Sequence, residues 1–144
     1  MPPFSLDPVL ARDTLPLGAF KLSRVLLLND SRYTWLVLVP RRAEVCEIID
    51  LTPEDRAQLY REIESASEVI RAVAAPDKIN IGALGNVVRQ LHIHVLARFA
   101  SDPAWPGPVW GHSPAVPYRA PLAGITLDKL RAALMARGMT ETGA

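Results

Sequence analysis

An α+β domain is the fold class that this sequence predicts. Short runs of apolar, branched residues lie close enough along the chain to pair as antiparallel strands, and one long amphipathic helix interrupts them. Proline is crowded into the first sixteen residues and into the stretch from Pro103 to Pro121, so the regular structure falls between. The 144 residues, 49% of them hydrophobic, suffice for one packed core. One domain over 1–144 is therefore expected, with its core at about 20–100, a Pro/Trp-rich loop over 101–121 and a short terminal helix.

The elements follow in order. Val25-Leu26-Leu27-Leu28 and Thr34-Trp35-Leu36-Val37-Leu38-Val39 flank the polar cluster Asn29-Asp30-Ser31-Arg32-Tyr33, which predicts a hairpin of two buried strands. In Leu51-Thr52-Pro53-Glu54-Asp55, Thr52 suits a helix cap, Pro53 the first helical position and the two acids the positive end of the dipole. The helix runs to about Ala75 and Pro76 stops it. Leu59, Ile63, Ala66, Ile70 and Val73 make its buried stripe, leaving Glu62, Glu68 and Arg71 to water. Lys78-Ile79-Asn80-Ile81-Gly82 reads as a strand, Leu84-Gly85-Asn86 as a turn and Val87 to Phe99 as a longer strand. A final helix over Leu127 to Ala136, capped by Thr126, completes the order β-β-α-β-β-α: an antiparallel sheet with one long and one short helix on one side.

Sixteen Lys+Arg against fifteen Asp+Glu give a net charge of +1, too small a field to draw the chain to nucleic acid or anionic lipid. No apolar run approaches the roughly 18 residues of a membrane helix, since Arg24 to Pro40 is broken by Asn29, Asp30, Ser31 and Arg32. The single Cys46 forms no internal disulfide, and Met1-Pro2-Pro3-Phe4 carries no basic-then-apolar leader, so a reducing cytoplasm is expected. Cys46 has no second thiol or basic cluster beside it and reads as packing rather than as a tuned nucleophile.

Chemistry concentrates in Gln90-Leu91-His92-Ile93-His94-Val95. Along a strand Gln90, His92 and His94 point one way, and Leu91, Ile93 and Val95 point into the core. Histidine titrates near neutrality, and a strand face of Gln and two His serves no packing purpose. Three readings remain: a half-exposed edge strand, a metal pair and a nucleophile. A metal site needs a third ligand, and the local stretch offers no Cys, Asp or Glu, so metal ranks below nucleophile and no cofactor is expected. Upstream, Asn80-Ile81-Gly82-Ala83-Leu84-Gly85-Asn86 suits either a plain turn or a cradle whose backbone N–H groups approach a phosphate. Trp105 and Trp110, on the proline-held loop, either stack on a base or bury themselves for their area, and His112 reads as a surface histidine.

Asn80-x-Gly82-x-x-Gly85-Asn86-x-Val88-x-Gln90-Leu91-His92-Ile93-His94-Val95-Leu96-Ala97-Arg98 resembles the histidine-triad (HIT) superfamily, in which three histidines alternate with apolar residues after a Gly-Asn or Gly-Gln turn. The likeness extends to the hairpin and to the helix opened by Thr52-Pro53, covering most of residues 20 to 100. It implies a HIT-like fold, a homodimer, and a nucleotide hydrolase or transferase working through a covalent nucleotidyl-histidine. Its substrates would be dinucleoside polyphosphates such as diadenosine tetraphosphate, or phosphoramidates. The Trp-Pro-rich tail, with Gln at the first triad position, is similar to a bacterial subgroup labelled diadenosine-tetraphosphate hydrolases.

By that resemblance His92 is the nucleophile, and His94 contacts the phosphate and supports its developing charge. Gly85 and Asn86 lie at the phosphates, Asp30 hydrogen-bonds the ribose, and Asn80 falls near a further phosphate-side amide with its spacing one residue short. Two positions depart from the pattern. Gln90 stands where the first triad histidine is expected, and Trp35 or Thr34 replaces a histidine of the second hairpin strand. An amide keeps hydrogen bonding and loses proton transfer, so a nucleotide-binding or sensing protein with weak turnover is the alternative.

Overall fold

The computed structural model describes residues 2–141; Met1 and residues 142–144, the ends of the expected 1–144 domain, lie outside them. The described residues run α1 (Pro8–Asp13), β1 (Thr14–Ala19), β2 (Ser23–Leu28), β3 (Trp35–Pro40), a 3-10 turn (Ile48–Asp50), α2 (Pro53–Ala74), β4 (Lys78–Gly82), β5 (Ile93–Arg98) and α3 (Leu122–Met135). All strand pairs are antiparallel, in the order β1-β2-β3-β5-β4. The α+β class and the predicted hairpin are as expected.

The N-terminal elements were not expected. Asp7 caps α1 by accepting from the Val9 N–H at 2.8 Å, with Pro8 at the first turn. Pro16 sits in β1, an edge strand, where its missing N–H is tolerated and the register shifts between Pro16 and Gly18. At the other end, α3 begins at Leu122 rather than Leu127 and has no side-chain cap, so Thr126 lies inside it. The element starts a turn before the suggested cap although Gly124, Ile125 and Thr126 are weak helix formers, and its Leu127, Leu130 and Leu134 pack on the core.

Helix α2 follows its signals. Thr52 Oγ accepts from the Asp55 N–H at 3.2 Å, Pro53 opens the helix, and Ala75 closes it in the left-handed region (φ 48) just before Pro76. Glu62, expected to face water, is buried at 2% exposure. Its carboxylate accepts from the backbone N–H groups of Leu22 (2.8 Å) and Ser23 (2.9 Å) and from the Gln58 amide (2.8 Å). Those two amides, at the mouth of the β1–β2 turn, lie beneath α2, and a buried N–H must find an acceptor.

Two apolar layers flank the sheet. On one face Leu36, Leu38, Ile93, Val95 and Ala97 pack under Leu59, Ala66 and Ile70 of α2 and Leu130 and Leu134 of α3. On the other, Leu26, Trp35, Val37 and Leu96 are covered by Leu10 of α1 and by Ala104 and Val109 of the long loop. The predicted long strand is short: it starts at Ile93, and residues 87–92 pair with no strand. Strand alternation therefore does not place Gln90. Val37 and Gly82 flank His94 in the ladder, which puts the histidine on the second face, away from α2.

Candidate functional site

A cleft of about 560 Å³ opens on that second face. Its floor is His94 and Trp35; the turn of Gly85, Asn86 and Val87 forms one side, Asp30 and Arg32 of the hairpin turn another, and Trp110 the far wall. His92 lines it at the entrance to β5.

His92 Nδ1 lies 2.7 Å from the Gln90 carbonyl oxygen. A carbonyl only accepts, so Nδ1 carries a proton, and in the neutral ring Nε2 keeps the lone pair. The backbone just before β5 thus fixes the tautomer. His94 has the opposite arrangement: the Trp35 indole N–H, which only donates, reaches its Nδ1 at 2.8 Å, so the proton of His94 sits on Nε2. Burial pushes the His94 imidazole down to about 4, and the charge His92 can carry adds to this. The two imidazole rings stand edge to face with centroids 5.0 Å apart, and Trp35 and Trp110 each lie 5.5 Å from His94 in the same manner. One imidazole offers a lone pair and the other an N–H, within one cleft.

The remaining expected residues divide. Gly85 adopts φ +75, a left-handed conformation that glycine enters without cost, and Asn86 beside it is exposed on the cleft rim. Asp30 is buried in the wall, and Arg32 grips both its oxygens at 2.9 Å. Burial works to raise the Asp30 carboxyl, but the hydrogen bonds and charge of Arg32 outweigh it and hold it below the usual carboxylate range. Two expected residues are occupied elsewhere. The Gln90 amide accepts from the Asp7 N–H at 2.9 Å and donates to the Ser5 carbonyl at 2.8 Å, pinning the N-terminal segment to the sheet. Asn80 Oδ1 accepts from Arg98 Nη1 at 2.8 Å.

Arg98 escaped the sequence reading. Its guanidinium, 2% exposed, also pairs with Asp102 (2.8 and 3.1 Å) and donates to the Gly107 carbonyl at 2.8 Å. That web ties the proline-rich loop to the sheet and so carries Val109 and Trp110 to the cleft. The two loop tryptophans part company: Trp110 forms the wall, while the half-exposed Trp105 covers the Arg98 guanidinium at 5.7 Å. A side chain at position 82 would collide with Trp110, since a Cβ there would lie 2.9 Å from the indole. His112 is exposed, with Ser113 Oγ 2.9 Å from its Nδ1. Among the described residues no group of three His, Cys, Asp or Glu is placed to hold a metal ion. Trp35, Arg32 and Tyr33 also line the cleft, and no motif or spacing singles them out beyond the departure from the expected pattern at Trp35.

Residues 12–101 match the HIT domain family. Among solved structures, a histidine triad protein from Bradyrhizobium japonicum is 43% identical, covering 92% of this chain and 99% of that one with a TM-score of 0.90. One from Marinobacter aquaeolei VT8 is 42% identical, covering 94% and 98% with a TM-score of 0.91. A protein named AP-4-A phosphorylase from Mycobacterium tuberculosis is 36% identical over 73 residues, 46% of this chain. The match spans only 37% of that protein's length.

Proposed function

The chain belongs to the HIT domain family, and on that premise we propose that it transfers a nucleotidyl group from a phosphoanhydride or phosphoramidate through His92. The observation that carries this reading is the 2.7 Å contact from His92 Nδ1 to the Gln90 carbonyl, which in the neutral ring reserves the lone pair of Nε2 for attack within the cleft. Nε2 attacks the α-phosphorus, an N–P bond forms, and the bond to the leaving group breaks with its electron pair on that group. The Nε2–H of His94 donates to a phosphoryl oxygen as charge builds there, with Asn86 and Gly85 at the phosphates and Asp30 toward the ribose. Gln90 serves by its carbonyl and by holding the N-terminal segment, and Asn80 by supporting Arg98.

In the second half the acceptor attacks phosphorus, the N–P bond breaks and its electron pair returns to Nε2. When the acceptor is water, its proton passes to solvent and the product is a nucleoside monophosphate. The name of the mycobacterial relative favours inorganic phosphate as a second acceptor and diadenosine tetraphosphate as a donor. A homodimer is part of the same reading. Strand β4 is an outer edge, and Ile81, Leu84 and Ile49 around it are exposed, an apolar surface that a second copy would cover; light scattering at micromolar concentration tests it.

The test of the function is turnover of dinucleoside polyphosphates and adenosine phosphoramidate by the parent and by His92→Ala. Loss in the variant is expected, and equal rates refute the reading. Tight nucleotide binding by the parent without product would select the binding or sensing alternative.

A further inference from the structure

We infer that Trp35 is a positioning residue that locks His94 as a permanent Nε2–H donor, and that the cleft therefore takes phosphoanhydrides, whose phosphate leaves as an anion, in preference to phosphoramidates, whose amine must be protonated. The inference rests on the reading of His92 as the nucleophile.

The lock is geometric. Trp35 and His94 lie on neighbouring strands, with Val37 opposite His94 and Trp35 opposite Leu96, so the indole reaches diagonally across the ladder to the imidazole. An indole has one N–H and no acceptor, and at 2.8 Å from Nδ1 it excludes a proton there. Trp110 and His92 close over the ring from the cleft side, and His94 is 8% exposed. A charged imidazolium would need a second proton on Nδ1, where the indole N–H already points. Burial and the charge His92 can carry disfavour the same imidazolium independently of the indole.

The leaving group then decides which bond breaks. When Nε2 of His92 attacks an anhydride, the P–O electron pair goes to the departing phosphate, a stable anion that needs no proton. When it attacks a phosphoramidate, the P–N pair goes to an amine nitrogen, which leaves only as it takes up a proton from a general acid. No other titratable group of the cleft supplies one near neutrality. Asp30 is held ionised by Arg32, whose guanidinium in turn is held charged by Asp30. Asp13 is engaged by Arg12 at 2.8 Å, burial pushes the Tyr33 hydroxyl up, and His92 is the attacking group. Gln90, at the position where another histidine is expected, cannot titrate and is turned to Ser5 and Asp7.

Two measurements test this on the intact protein. Long-range nitrogen NMR of the imidazoles reads the tautomer: a single Nε2–H form of His94 is expected from pH 8 to 5.5, and in Trp35→Phe a ring that titrates closer to the ordinary value of about 6.5. An Nδ1–H form or an imidazolium in the parent at pH 7 overturns the lock. Single-turnover rates with diadenosine tetraphosphate and adenosine phosphoramidate, which transfer the same adenylyl group, read the consequence. The anhydride is expected to react faster by about 100-fold or more, the contribution of a missing general acid. Comparable rates, both abolished in His92→Ala, overturn the inference and leave the nucleophile standing. If neither substrate reacts, the reading of His92 falls and the preference with it. The parent spectra and rates decide these outcomes even where Trp35→Phe does not fold.

Discussion

Replacing Arg98 by Met removes a guanidinium with four hydrogen bonds while keeping the length of an apolar stem. In the parent those bonds run to both oxygens of Asp102, to Asn80 and to the Gly107 carbonyl, and the side chains of Arg98 and Asp102 are 2% and 4% exposed. The variant leaves a buried carboxylate whose remaining partners are the backbone N–H groups of Phe99, Ala104 and Trp105. Breaking a buried pair from one side costs about 3–5 kcal/mol, which for a chain of this size lowers the melting temperature by about 9–15 °C. Urea unfolding of Arg98→Met, Asp102→Asn and the double variant measures it. Because the cost comes from the stranded charge, Arg98→Met is expected to cost less in the Asp102→Asn background, with a coupling of about 2–3 kcal/mol. The loop also carries Trp110, so nucleotide affinity should fall in the single variant. A stability within 1 kcal/mol of the parent, or a cycle with no coupling, would refute the claim that this web fastens the loop.

Other perturbations probe other joints. Glu62→Gln turns one of two acceptor oxygens into a donor facing a backbone N–H and should cost about 1–3 kcal/mol in urea unfolding; an unchanged midpoint contradicts the buried role given to Glu62. Gly82→Ala should push Trp110 from its wall, raising KM with little change in kcat and costing about 1 kcal/mol or more from overpacking. An unaltered KM means that Trp110 is not part of the substrate surface. His94 titrates at about 4 in the fold against 6.5 ordinarily, so between those values the unfolded chain binds more protons. Stability should therefore be complete above pH 6.5 and fall as the pH drops toward 4, and His94→Gln should flatten that slope. An equal slope in the variant places its origin elsewhere.

How much of this was legible in the sequence depended on the range of the signal. Helix α2 and the β2–β3 hairpin were readable because Thr52-Pro53 and the polar turn act on their own neighbours. Glu62 was misplaced because its partners lie about forty residues away in the β1–β2 turn, where no helical periodicity reports them. Strand β1 was hidden by Pro16, which only an edge position makes tolerable. His92 and His94 stood out by residue type and spacing, and Asp30, Gly85 and Asn86 share the cleft with them. The departures from the pattern said more than they first offered. Trp35 read as a lost histidine, and its indole is what sets the His94 tautomer; Gln90 read as a weakened triad member, and its side chain is spent on Ser5 and Asp7 while its carbonyl orients His92. The bonds from Trp35 to His94 and from the Gln90 side chain to residues 5 and 7 could not be inferred without the register that brings β3 beside β5 and the path that returns residues 5–7 to the sheet.

The central claim, attack by His92 Nε2, is tested most directly by mixing the protein with diadenosine tetraphosphate, quenching within one turnover and mapping the trapped adduct by mass spectrometry. An adenylyl group on the peptide containing His92, absent from His92→Ala, is the expected result. Product formed with no adduct at His92, or an adduct that persists in the variant, would contradict it.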